Sequence, residues 1–92
     1  MRIDIEVELS ERVESDDRVE TRRFSREVEM ELPSVGAEIE LNVAAEPVLV
    51  TVTNVTRATD NMPWHVRVTG DSLTFKSLRE DERWSEKLIT AV

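Results

Sequence analysis

The chain has no cysteine, which excludes disulfides and thiolate metal sites. It has one histidine, His65, with no paired acid motif and no nucleophile partner, so neither a metal site nor triad chemistry is expected there. Its two glycines, Gly36 and Gly70, leave no phosphate-cradling loop. No apolar run approaches the ~18 residues of a membrane span. The first residues, Met1-Arg2-Ile3-Asp4-Ile5-Glu6, alternate charge with hydrophobe and lack the apolar core of a secretory leader, so a cytoplasmic protein is expected. Bases are also scarce. Lys and Arg total 12 against 20 Asp and Glu, a net charge of −8 over 92 residues, which argues against direct contact with nucleic acid or an anionic membrane.

Ninety-two residues make one domain. The charge is uneven: residues 1–40 hold 13 acids and 6 bases, whereas residues 41–70 hold 2 of each. The dominant periodicity is two, the mark of strands with one buried and one wet face. Ile3, Ile5, Val7 and Leu9 alternate with Asp4, Glu6 and Glu8. Phe24, Val28, Met30 and Leu32 share a phase opposite Glu27, Glu29 and Glu31. Ile39, Leu41 and Val43 alternate with Glu38, Glu40 and Asn42. From Pro47 to Thr56 both phases carry hydrophobes, as in a central strand, and a phase slip near Asn54 suits a bulge.

Trp64, Val66 and Val68 run into Gly70-Asp71 and then Leu73 and Phe75, which reads as a hairpin with a two-residue turn that sets His65 opposite Lys76. Ser77 to Glu80 has capping-box spacing, and Leu78, Trp84, Leu88 and Ile89 fall near one helical stripe, so a C-terminal helix is expected over about 78–90. Ser10 to Val19 is the longest and most charged connection, and a mobile loop is expected there. The expected fold is mainly β: about six mostly antiparallel strands as a small SH3-like barrel or curled sheet, with one short C-terminal helix. The Pro33-Ser34-Val35-Gly36 turn leading into the 38–43 strand resembles turns of SH3-like small barrels.

Two surfaces stand out as partner-binding candidates. The first is the wet phase of the acidic strands: Asp4, Glu6, Glu8, Glu27, Glu29, Glu31, Glu38 and Glu40. If those strands are neighbours, eight carboxylates share one face, at a cost in like-charge repulsion. Pairing Glu8 with Arg23 and Arg2 with Glu29 would satisfy two of the acids, yet would set Asp4 against Glu27. Such a face suits docking to a basic partner, or a decoy of a nucleic-acid phosphate array; it also suits a solvated surface that keeps a β protein soluble. The second candidate is Met62, Trp64, His65 and Arg67, should Trp64 be exposed. Arg26 falls in the apolar phase of its strand, which implies a bulge, a late strand start, or an inward arginine held by an acid or ligand. Asn54-Val55-Thr56 has the glycosylation-acceptor pattern, expected as a chance match without a secretory leader.

No acid pair is marked out for general acid–base work, because the acids sit in the wet phase of strands. The expectation is therefore a non-enzymatic protein-interaction or assembly module. It needs no cofactor or metal, and its partner is another protein, a basic one or a second copy. The alternative is an acidic inhibitor that mimics nucleic acid.

Overall fold

The computed structural model describes residues 1–15 and 17–91. They form six strands and one short helix: β1 (Arg2–Val13), β2 (Arg18–Glu29), β3 (Glu38–Val43), β4 (Glu46–Thr56), β5 (Trp64–Thr69), α1 (Phe75–Arg79) and β6 (Ser85–Ala91). The strands make one sheet in the order β3-β4-β5-β1-β2-β6. All neighbours are antiparallel except β1 and β5, which run parallel. The sheet does not close into a barrel; β3 and β6 remain its two edges. It is the curled sheet of the two expected architectures.

Register follows hydrophobicity. Ile3, Ile5 and Val7 are fully buried and lie level with Trp64, Val66 and Val68 on one side. On the other side they lie level with Val28, Arg26 and Phe24. A slip of one residue would turn every one of these side chains to water. Val50, Val52, Leu41 and Val43 continue the same face across β4 and β3, and Leu73, Phe75, Leu78 and Trp84 cover it. Full burial of a side chain such as Leu78 contributes roughly 1.5–3 kcal/mol. The slip near Asn54 is present as a bulge between Val52 and Asn54, which brings Val55 level with Val66.

Two sharp turns shape the β3–β4 arm. Gly36 has a φ of +91°, open to glycine at no steric cost, and its N–H meets the Val52 carbonyl at 2.8 Å. Ala44 and Ala45 make the β3–β4 turn, both in the left-handed region at φ 52° and 66°, where a Cβ is strained.

Three expectations are corrected. First, Ser10–Val19 is not a loop: β1 continues to Val13 and β2 starts at Arg18, paired throughout. Polar side chains do not prevent a ladder once the backbone is in register, and Ser10 and Thr21 hydroxyls add a contact of 2.6 Å across it. Second, Leu73–Phe75 is not a strand. Both sides of β5 are already taken, by β4 and β1, so no hairpin can form after Gly70. Gly70 instead lets the chain pass close to β4, where a Cβ would stand 3.0 Å from Val50.

Third, the helix over 78–90 is absent. The capping box moves back three residues, with Thr74 as N-cap and Ser77 returning the bond to the Thr74 amide at 3.0 Å, and the helix ends at Arg79. Residues 85–91 then extend along the open edge of β2 as β6. The hydrophobic spacing of Trp84, Leu88 and Ile89 was compatible with a helix, but a waiting strand edge outweighed it.

Candidate functional site

The outer face of β2, β1 and β5 is a lattice of charges rather than an acidic sheet. The registers that align Arg2 with Glu29, Asp4 with Glu27 and Glu8 with Arg23 all occur. Across β1 on the other side, His65 lies level with Asp4, and Arg67 with Glu6. Lys76 is not the neighbour of His65, since the predicted hairpin does not form.

Glu6 is the hub of the lattice. Its Oε1 lies 2.7 Å from Arg23 Nε, and its Oε2 accepts hydrogen bonds from Arg67 Nε and Nη2 at 3.2 and 3.1 Å. Glu8 shares both arginines, at 3.4 and 3.7 Å. Glu27 is hydrogen-bonded by Arg2, which holds its carboxyl below the usual range, and Glu29 takes the N-terminal ammonium at 2.7 Å. Among the described residues the ion-pair contact of Asp4 is with His65 Nε2 at 3.8 Å, and its charge also acts on Arg2. Exposed pairs of this kind contribute modestly, about 0–1 kcal/mol each, but they offset the repulsion among the carboxylates of this face.

The eight acids therefore divide. Asp4, Glu6, Glu8, Glu27 and Glu29 share the β1–β2 face. Glu31 lies beyond the end of β2, and Glu38 and Glu40 lie on β3, separated from β1 by β4 and β5. The second candidate patch divides as well. His65 and Arg67 stand on the outer face, whereas Trp64, level with Ile3, points to the inner one. Trp64 packs against the core with the Arg57 guanidinium 4.9 Å above its ring, and Met62 stands half-exposed in the preceding loop.

Sequence reasoning missed a polar clasp at the β3 end of the curl. Asp81, only 6% exposed, accepts from the Ala44 amide at 3.1 Å, the Arg83 amide at 3.1 Å and the Arg83 guanidinium at 2.9 and 2.7 Å. The Arg83 hydrogen bond first, and the two backbone amides with it, hold the Asp81 carboxyl far below the usual carboxylate range against the opposing effect of burial. Arg83 also donates to the Asn42 carbonyl at 3.3 Å, and Arg26 donates to the same oxygen at 2.9 Å. Arg26 is thus inward, within a regular strand, and held by a backbone carbonyl. The only hint in the sequence was its place in the apolar phase; Asp81 gave none, because Asp-Glu-Arg in that position reads equally well as a helix's first turn.

A second charge cluster stands at the other end of the inner face. Glu20, buried, is flanked by Arg18 and Arg22, and Glu86 bridges Arg22 and Arg79 at 2.8 and 2.7 Å. Glu11 accepts the Phe75 amide at 2.6 Å, which anchors α1 to β1.

Among the described residues no cluster of His, Asp and Glu has metal-holding geometry, and no helix is long and apolar enough to cross a membrane. Comparison with models of known protein families, with curated proteins and with solved structures finds no match.

Proposed function

We propose that this protein is a non-enzymatic interaction module of the cytoplasm that recruits a protein partner by strand addition along β6. One observation carries the reading: the two edges of the open sheet are treated differently. β3 is shielded by Glu38 and Glu40 in its wet phase and by the arginines on its Asn42 carbonyl. β6 is seven residues long, and among the described residues its backbone hydrogen-bonds to β2 alone. Its one acid, Glu86, is neutralised by Arg22 and Arg79, and Leu88 is 46% exposed. An edge whose outward backbone groups are unbonded is a template for another strand, whose backbone bonds supply affinity. Lys87 favours an acidic residue opposite it.

The decoy reading retains one supporting observation: Glu38 and Glu40 lie on one strand face with no ion pair among the described residues. The β1–β2 face, with its arginines interleaved, does not resemble a phosphate array.

Capture from native lysate separates the two. Strand addition predicts a partner that survives high salt, is lost with Leu88→Lys, and is retained with Glu38→Lys. A basic partner that elutes as salt rises and is lost with Glu38→Lys would replace this reading with the decoy. A monomer that captures nothing would remove both.

A further inference from the structure

Two side chains of β6 stand where an added strand would meet them. Leu88, level with Arg22, belongs to the inner phase of the sheet and is 46% exposed. Lys87, level with Arg23, belongs to the outer phase and is exposed. Glu86 shares the inner phase with Phe24, and its carboxylate is taken by Arg22 and Arg79.

Lys87 sits against the local electrostatics. Its cross-strand neighbour is Arg23, and like charges directly opposite are destabilising. Arg23 is committed on its other side to Glu6 at 2.7 Å and Glu8 at 3.4 Å. Among the described residues no carboxylate lies within ion-pair distance of Lys87, in a chain with an excess of eight acids. A glutamate at position 87 would suit Arg23 better. The lysine suits a carboxylate on the opposite side, where β6 has no neighbouring strand. A lysine on an edge discourages indiscriminate pairing of strands, yet attracts one that sets an acid beside it.

We infer, resting on strand addition as the mode of binding, that β6 selects a foreign strand of one chemistry. That strand carries an Asp or Glu in its outer phase opposite Lys87. Next to the acid in sequence it carries an apolar residue in its inner phase opposite Leu88, since successive residues of a strand point to opposite faces. The opposite-charge pair and the apolar pair each add to the backbone bonds. The partner residue level with Glu86 needs no base, because two arginines already hold that acid. One edge of this chain has the required pattern, Ile39-Glu40-Leu41 on β3. A second copy is nevertheless a poor occupant. The Asn42 carbonyl beside that pattern accepts from both Arg26 at 2.9 Å and Arg83 at 3.3 Å, so its two lone pairs are used and it has none left for a ladder bond.

The test is an amide NMR titration with three blocked peptides the length of β6, alternating valine and threonine, whose central threonine is kept, replaced by aspartate or replaced by lysine. The aspartate peptide should shift the Ser85–Ala91 amides saturably and bind at least about fivefold tighter than the lysine peptide, with the threonine peptide between them. Lys87→Glu, which sets an acid against Arg23, should keep the fold and reverse the order of the aspartate and lysine peptides. Leu88→Ala should weaken all three alike. Equal binding of the three at β6, or an order that Lys87→Glu does not reverse, would overturn the acidic preference while leaving strand addition in place. Absence of shifts along β6 with every peptide would remove strand addition and this inference with it. Concentration-dependent shifts along both Glu38–Val43 and Ser85–Ala91 in the protein alone would assign the edge to a second copy and overturn the inference as well.

Discussion

The edge strand β3 presents Glu38 and Glu40 to solvent and lends its Asn42 carbonyl to two arginines, with the adjoining Ala44 amide tied to Asp81. The edge strand β6, at the opposite end of the same sheet, has its acid drawn inward by Arg22 and Arg79 and its backbone bonded on one side only. An open six-stranded sheet must deal with two rows of unpaired backbone groups. Here one carbonyl of the β3 edge, that of Asn42, is taken by Arg26 and Arg83, whereas among the described residues no side chain bonds the outward groups of β6. Openness in this fold is thus uneven: the curl brings the end of β3, already paired with β4 on its inner side, to the clasp, while the outward side of β6 meets no side chain among the described residues.

Breaking the clasp should have the largest effect. Asp81→Ala leaves the Ala44 amide and Arg83 without their acceptor, and the loss should be about 2–3 kcal/mol by chemical denaturation, in the range of hydrogen bonds to a charged group. The same variant should raise amide exchange along β3 far more than along β6.

The acid limb of stability should carry the same signature. Asp81 has a depressed carboxyl, so its contribution is complete above the ordinary aspartate range, near pH 4, and fades as pH falls from there through its lower folded value. Denaturation midpoints measured down this limb should fall more steeply for the native chain than for Asp81→Asn. A residual slope should persist from Glu27 and Glu86, which arginine hydrogen bonds also hold low.

A stabilising change is expected next to the clasp. Ala45→Gly relieves a left-handed alanine in the β3–β4 turn and should gain about 1 kcal/mol in the same denaturation assay. Arg26→Leu completes the apolar phase of β2 while Arg83 still holds the Asn42 carbonyl, so the change should lie within about 0.5 kcal/mol of zero. Leu88→Lys should be the smallest perturbation of the free protein, because Leu88 is already half in water, and yet the most damaging to partner capture.

Much of the fold was legible because period-two patterning is strong wherever one face is buried. Ile3, Ile5 and Val7 marked β1, and the Arg2, Glu8 and Arg23 charges pointed to one of the possible β1–β2 registers, the one that occurs. What failed was decided by partners distant in sequence. Nothing local at Ser10–Val13 or Arg18–Val19 says that two polar stretches will pair; the apolar stretches beside them impose it. Nothing local at Leu73–Phe75 says that both sides of β5 are occupied, nor at Ser85–Ala91 that β2 has a vacant edge. The candidate site was half legible for the same reason. The acids were found, but the arginines that neutralise Glu6 and Glu8 come from strands on either side, and strand order placed Glu38 and Glu40 elsewhere. Two irregularities were visible beforehand: the phase slip near Asn54, and Arg26 as a charge in an apolar phase.

Residue-resolved amide hydrogen exchange, on the free protein and on its complex with the captured partner, distinguishes the two edges. The outward amides of β6 should exchange freely in the free protein and become protected in the complex, with β3 unchanged. Protection gained along β3 and its Glu38–Glu40 face, with β6 still exchanging, would contradict strand addition at β6.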